Sequence, residues 1–161
     1  MFAGSGRCVC VTAAVALAAG AWAATGLAAT VPNPCTVVST ATIASTLGFK
    51  GTVAGGKFST QGAGKYKQGV CTFRVGSASV KIEDAPHVAS GGSGGGAPGM
   101  KVSTVTGFGG ETRFYYDTRP GFMFASLGFT KGNIDAGVYE NGNIAPDRVL
   151  ALARLVYNTL P

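Results

Sequence analysis

Two sulfurs, one imidazole and a one-signed run of cations are the materials from which this sequence must build any chemistry. Beyond residue 30 the thiols are Cys35 and Cys71 and the imidazole is His87. Lys50, Lys57, Lys65, Lys67, Arg74 and Lys81 all precede the first acid, Glu83. Two cysteines and one histidine are too few for a zinc site, and no C-x-x-C or H-x-x-x-H spacing occurs, so neither metal nor cofactor is expected. A Ser-His-acid device would have to use His87, which sits beside a glycine-rich stretch, and no serine elbow between a strand and a helix is recognised. The carboxylate pairs Glu83/Asp84 and Glu111/Asp117 read as solvent-facing charges. No catalytic residue is therefore assigned. What the thiols can do is pair with each other.

Whether they pair depends on the compartment. Arg7 is the only charge before Lys50, and Val9 to Ala29 is an alanine-rich stretch without a charged side chain. A basic start, an apolar run and then small residues is the order of a secretory signal peptide. Ala21-Trp22-Ala23 and Gly26-Leu27-Ala28 offer cleavage sites, so residues 1–29 are assigned to a leader cut between 23 and 30. The competing reading is a retained anchor, since the run is just long enough to span a bilayer. It contains only two leucines, Leu17 and Leu27, and neither isoleucine nor phenylalanine, which makes it a weak anchor. Cys8 and Cys10 leave with the leader and precede the apolar run, whereas a lipid-modified cysteine would follow it. In an oxidising compartment Cys35 and Cys71 are then expected to form a disulfide. It closes a loop of about 37 residues, worth roughly 3–4 kcal/mol by the chain-entropy argument.

Without Arg7, twelve Lys and Arg stand against seven Asp and Glu, a net charge of +5. Lys57, Lys65, Lys67 and Arg74 are the candidate contacts to an anionic lipid or an acidic wall polymer. The plainer reading of the same residues is a solvated face that maintains solubility. Nucleic acid is not expected, because no reading motif accompanies the charge.

The elements that would position these residues follow from periodicity. Pro32 and Pro34 predict an extended lead-in over Val31 to Cys35. Ser39 is a good N-cap for a short helix over Thr40 to Leu47, with Val38 and Ile43 placed as a hydrophobic staple and Gly48 as its stop. Residues 50–68 read mostly as loop, with short extended pieces near Thr52–Val53 and Phe58. Val70–Val75 and Ala78–Glu83 alternate on either side of Gly76-Ser77, the best hairpin signal in the chain. Residues 89–99 read as a flexible glycine-rich loop, and the lack of a Lys-Ser/Thr closure argues against a phosphate cradle there. Strands are expected at Thr112–Asp117, Gly121–Leu127 and Ile134–Glu140. Their aromatics are expected to pack against helices, the alternative being a pocket lining. Pro146 and Asp147 open a final helix to Leu160, with Val149, Leu152, Ala153, Val156 and Leu160 on one face. The expectation is a single α+β domain over residues 30–161. Its antiparallel sheet has about five to six strands, with a short N-terminal and a longer C-terminal helix packed on it.

Asn33-Pro34-Cys35-Thr36-Val37-Val38-Ser39 resembles the opening of a group of actinobacterial exported proteins and lipoproteins of unknown function. The likeness extends to Leu47-Gly48 at the end of the short helix, to Gly69-Val70-Cys71-Thr72-Phe73, to Gly107-Phe108-Gly109 and to the closing helix. Thr42 replaces the acidic residue usual three positions after the cap, and no lipid-attachment cysteine is evident. The resemblance implies an extracytoplasmic α+β domain and supplies no catalytic residue. The function expected on these grounds is a non-catalytic binding or sensor module, secreted or held in the cell envelope. The alternatives are an accessory or regulatory subunit that binds a protein partner, and a small hydrolase.

Overall fold

A computed structural model describes residues 33–63, 67–87 and 98–161; the leader, Lys65 and nearly all of the 89–99 stretch lie outside the described residues. The order of elements is α1 (Pro34–Val37), α2 (Thr40–Leu47), β1 (Ala54–Gln61), β2 (Gln68–Val75), β3 (Ala78–Pro86), β4 (Lys101–Val105), β5 (Thr112–Asp117), β6 (Phe124–Lys131), β7 (Ile134–Asn141) and α3 (Pro146–Thr159). The strands form one antiparallel sheet in the order β1-β2-β3-β7-β6-β5-β4. Two meanders, β1 to β3 and β4 to β7, are thus joined along β3 and β7, where eight residues of each strand pair from Ser79↔Asn141 to Pro86↔Ile134.

The α+β class holds, but the sheet has seven strands rather than five or six. The strands missed or half-seen are the two edges. β1, Ala-Gly-Gly-Lys-Phe-Ser-Thr-Gln, is exposed along its whole length, so no burial forces its side chains to alternate. Its hydrogen bonds to β2 hold it in place, with an irregularity between Ala54 and Lys57. β4 is short and mostly exposed, and it is held in the same way by β5.

Two boundaries also move. The segment expected to be extended before the first helix contains a one-turn helix, α1, with Pro34 at its start and the Asn33 side chain accepting from the Cys35 amide at 2.9 Å. Proline restrains the residue before it, but it suits a first helical turn, and here that preference wins. β6 begins at Phe124, later than expected, because Arg119 to Gly121 and Phe122 form the turn, and Phe122 is 68% exposed. The inward face of β6 is Ala125, Leu127 and Phe129.

The helices cover one face of the sheet. Ser39 caps α2, accepting from the Thr42 amide at 3.1 Å, and its hydroxyl lies 2.7 Å from that of Thr42. Val38 and Ile43 are both buried, as a staple requires. Gly48 ends the helix at φ 68°, a left-handed conformation that glycine adopts without strain. On α3 the stripe Val149, Leu152, Ala153 and Val156, continued by Leu160, meets Ile82, Leu127 and Val138 from the sheet in one core. The disulfide Cys35–Cys71, with Cα atoms 5.0 Å apart, ties α1 to β2. A Cβ on Gly56 would lie 2.2 Å from the Cys71 sulfur, so only glycine lets β1 cross the bridge at this point.

Lys131 fastens the far end of α3. Its ammonium donates to the carbonyls of Tyr157 and Leu160 and lies 5.2 Å from the centre of the Tyr157 ring. Those carbonyls have no partner within the helix, so the cation satisfies them and opposes the negative end of the helix dipole. Lys131→Met keeps the stem and removes the charge. It is expected to cost about 1–2 kcal/mol in urea unfolding, because buried acceptors are left unpaired.

Candidate functional site

The face of the sheet away from the helices carries a continuous cross-strand row. Reading the register from edge to edge gives Lys57, Thr72, Lys81, Tyr139, Ser126, Tyr115 and Val102. Directly paired residues of an antiparallel sheet point to the same side, so these seven side chains share a surface. In the neighbouring row Glu83 pairs with Gly137, and Gly137 pairs with Gly128. Two adjacent glycines make a hollow in the middle of the sheet. Around it is a cleft of about 970 Å³ lined by residues of β3, β7, β6 and β5 and of the connection before β5.

Tyr139 lies down into this hollow. A Cβ built on Gly137 would fall 2.8 Å from the tyrosine ring and 3.1 Å from its hydroxyl, and one built on Gly128 would lie 4.0 Å from that hydroxyl. The ring therefore rests on the glycine backbone while the residue stays 39% exposed. Burial, followed by the charge of Glu83, raises the phenol's pKa. Burial also raises that of Glu83, with Lys81 working against it.

The end of the cleft is a hydrogen-bonded cluster. Asp135 Oδ1 accepts from the Thr130 hydroxyl at 2.7 Å and lies 2.8 Å from His87 Nδ1. The hydrolase alternative needs a serine on His87; Asp135 takes Nδ1, as the acid of such a device would, and among the described residues no serine is bonded to the ring. The string Gly91-Gly92-Ser93-Gly94-Gly95 does spell Gly-x-Ser-x-Gly; it lies outside the described residues. Among the described residues no group of three or more His, Cys, Asp or Glu is placed to hold a metal ion.

Comparison with protein-family models, with curated proteins and with solved structures finds no match. The site is therefore argued from its own chemistry.

Four of the chain's seven acids, Glu83, Asp84, Glu111 and Asp135, line the cleft, while Arg113 is the one Lys or Arg that does so among the described residues. The cleft is thus acidic in a basic protein. The candidate anion contacts lie elsewhere. Lys57 and Arg74 reach the same sheet face through β1 and β2, outside the cleft, and Lys81 joins them there. Lys67 precedes β2, at the opposite end of that strand from Arg74. Lys65 is outside the described residues. The structure thus brings two of the four together and sets a third apart.

Two carboxylates read as solvent-facing are in fact buried. Asp117 is 5% exposed and accepts from the backbone amide of Arg119 at 2.9 Å and from its guanidinium, which also donates to the Pro98 carbonyl. The Arg119 contacts hold the Asp117 carboxyl down at about 2. Asp84 points to the helix side, close to Gly69 and Pro34, is 2% exposed, and neither of its oxygens has a hydrogen bond of good geometry. Burial pushes it up to about 7, and the Gly69 amide offsets that only in part. The aromatic strand β5 divides its residues between the two roles weighed from sequence: Phe114 belongs to the core and Tyr115 lines the cleft. A sequence signal for the site did exist. Isolated glycines inside strands, as at 128 and 137, mark places where something approaches the backbone closely.

Proposed function

We propose that this protein is an extracytoplasmic, non-catalytic binding module that holds its ligand on the open face of the sheet. The observation that carries this reading is the cleft over Gly128 and Gly137. Among the described residues the helices roof one side of the seven-stranded sheet and no helix lies on the other, and here that other face is hollowed at its centre and edged with hydrogen-bonding groups. A concave, pre-formed site with a few convergent polar groups is the ordinary form of a ligand site. The Cys35–Cys71 bridge is compatible with an oxidising compartment. Among the described residues no helix is long and apolar enough to cross a membrane.

Gly128 supplies the test. A Cβ there meets nothing closer than 3.9 Å and the residue is exposed, so the strand accepts a side chain at this position and Gly128→Phe sets a ring across the cleft beside Tyr139. The wild type is expected to co-sediment with cell-envelope fractions and Gly128→Phe to remain in the supernatant, with the melting temperature of the variant equal to or above that of the wild type. Equal sedimentation of the two proteins would remove the cleft from the account.

A further inference from the structure

We infer that the cleft takes a pyranose ring of a neutral glycan, stacked on Tyr139. This rests on the reading that the open face binds a ligand, and it names the class.

The argument begins with the tyrosine. Its ring leans over the backbone of Gly137, where a Cβ would fall 2.8 Å from it, and the residue stays 39% exposed on the open side. A part-exposed aromatic ring packed against backbone recognises a flat, weakly apolar partner at little entropic cost. The C–H face of a sugar ring is such a partner, and its hydroxyls need donors and acceptors around the rim. Those are in place: Ser126 pairs directly with Tyr139, Glu83 flanks Gly137, and Thr130 and Asp135 stand one step further along β6 and β7. Tyr115 lies in the same row as Tyr139 with β6 between them. Two strand spacings separate them, about 9–10 Å, close to the length of one disaccharide unit in an extended chain.

Charge decides against the competing classes. An anionic headgroup or polymer would meet Glu83, Glu111 and Asp135 against the single guanidinium of Arg113, which opposes it. A cationic ligand would find Glu111 alone without a neighbour that already engages or turns aside its carboxylate among the described residues. Asp135 is bonded to His87 and Thr130, Glu83 has Lys81 beside it, and the Asp84 carboxyl points to the helix side of the sheet. The remaining surface is rich in hydrogen-bonding groups, which suits a polyol.

Titration calorimetry and affinity electrophoresis with chitotetraose and cellotetraose test this, with anionic liposomes and hexalysine as contrasting probes. The wild type is expected to bind a neutral tetrasaccharide saturably. Tyr139→Phe keeps the ring and should stay within about threefold, whereas Tyr139→Ala should lose roughly tenfold, the scale of one aromatic contact. Gly128→Phe should abolish binding, which keeps the test sound if Tyr139→Ala folds poorly. Tetrasaccharide binding unchanged in both Tyr139→Ala and Gly128→Phe overturns the assignment. So does binding of liposomes or hexalysine, but of neither tetrasaccharide, that Gly128→Phe abolishes. If envelope binding is lost in Gly128→Phe while neither tetrasaccharide binds the wild type, the glycan class falls and the open-face reading survives. If Gly128→Phe alters neither binding, both fall.

Discussion

Cys35→Ser/Cys71→Ser is expected to lower the unfolding free energy by about 4 kcal/mol, read as a fall in the urea midpoint with a slope that rises as the unfolded chain is released. The partners are 36 residues apart in sequence, and a loop of that size loses much of its freedom when its ends are joined. Small domains are stable by about 5–15 kcal/mol in total, so the loss is a large share of the margin. The structure also says where the loss is felt first. α1 is a single turn, too short to persist by itself, and its contacts run to β1, β2 and β3 around the bridge. β1 is a fully exposed edge that crosses the bridge at Gly56. Hydrogen exchange in residues 33–61 should therefore rise in the double variant well before it rises in β6, β7 or α3. An unfolding free energy within about 0.5 kcal/mol of the wild type would mean that the packing of α1 and β1, and not the covalent link, holds this corner.

The second large effect is on pH dependence, and its sign is opposite to that of most carboxylate-bearing proteins. Asp84 and Glu140 are buried, and burial pushes each carboxyl up to about 7 from ordinary values of 3.8 and 4.5. Glu140 keeps one partner, the Ile144 amide at 3.3 Å. Between those ordinary values and pH 7 the folded protein retains protons that the unfolded chain has released. Stability contributed by the two groups is therefore complete below about pH 4 and is lost as pH rises towards 7, at up to about 1.4 kcal/mol per pH unit for each group. Asp117 acts the other way: its carboxyl is held at about 2, so its contribution disappears as pH falls below 4. The stability maximum should lie near pH 4–5, with the urea midpoint clearly lower at pH 8 than at pH 5. Asp84→Asn keeps the shape and removes the titration, so it should take away roughly half of that decline. A midpoint that rises from pH 5 to pH 8 would contradict the burial of these two groups as ionisable acids.

Much of the fold was legible wherever a side chain has to be inside. The β2–β3 hairpin was readable because Phe73, Val75, Val80 and Ile82 alternate with polar residues, and α3 because its apolar stripe repeats at the helical period. Ser39 and Gly48 marked the ends of α2 through their local chemistry alone. β1 and β4 were not legible in the same way. A strand on an edge needs only its neighbour's hydrogen bonds, so its composition is free to be Gly-Gly-Lys or Lys-Val-Ser. Asp84 follows Glu83 in a strand, and alternation alone places them on opposite faces. Nothing in the sequence states that Asp84 takes the inner one without a partner. The cleft was beyond reach for a topological reason. Glu83, Gly137, Gly128 and Tyr115 become neighbours only because β3 pairs with β7 instead of β4. The chemistry-bearing residues that sequence favoured, a run of lysines, mark a different part of the same surface.

The seam between β3 and β7 also divides the work of folding in time. Every element that the disulfide joins lies before residue 76, within the first meander and its two small helices. The helix that roofs the core is the last element of the chain. In an oxidising compartment a polypeptide emerging amino-end first can therefore lock its covalent clasp while five of its seven strands and most of its roof are still to come. The second meander then has β3 to pair with, in a chain whose α1 and β2 are already joined.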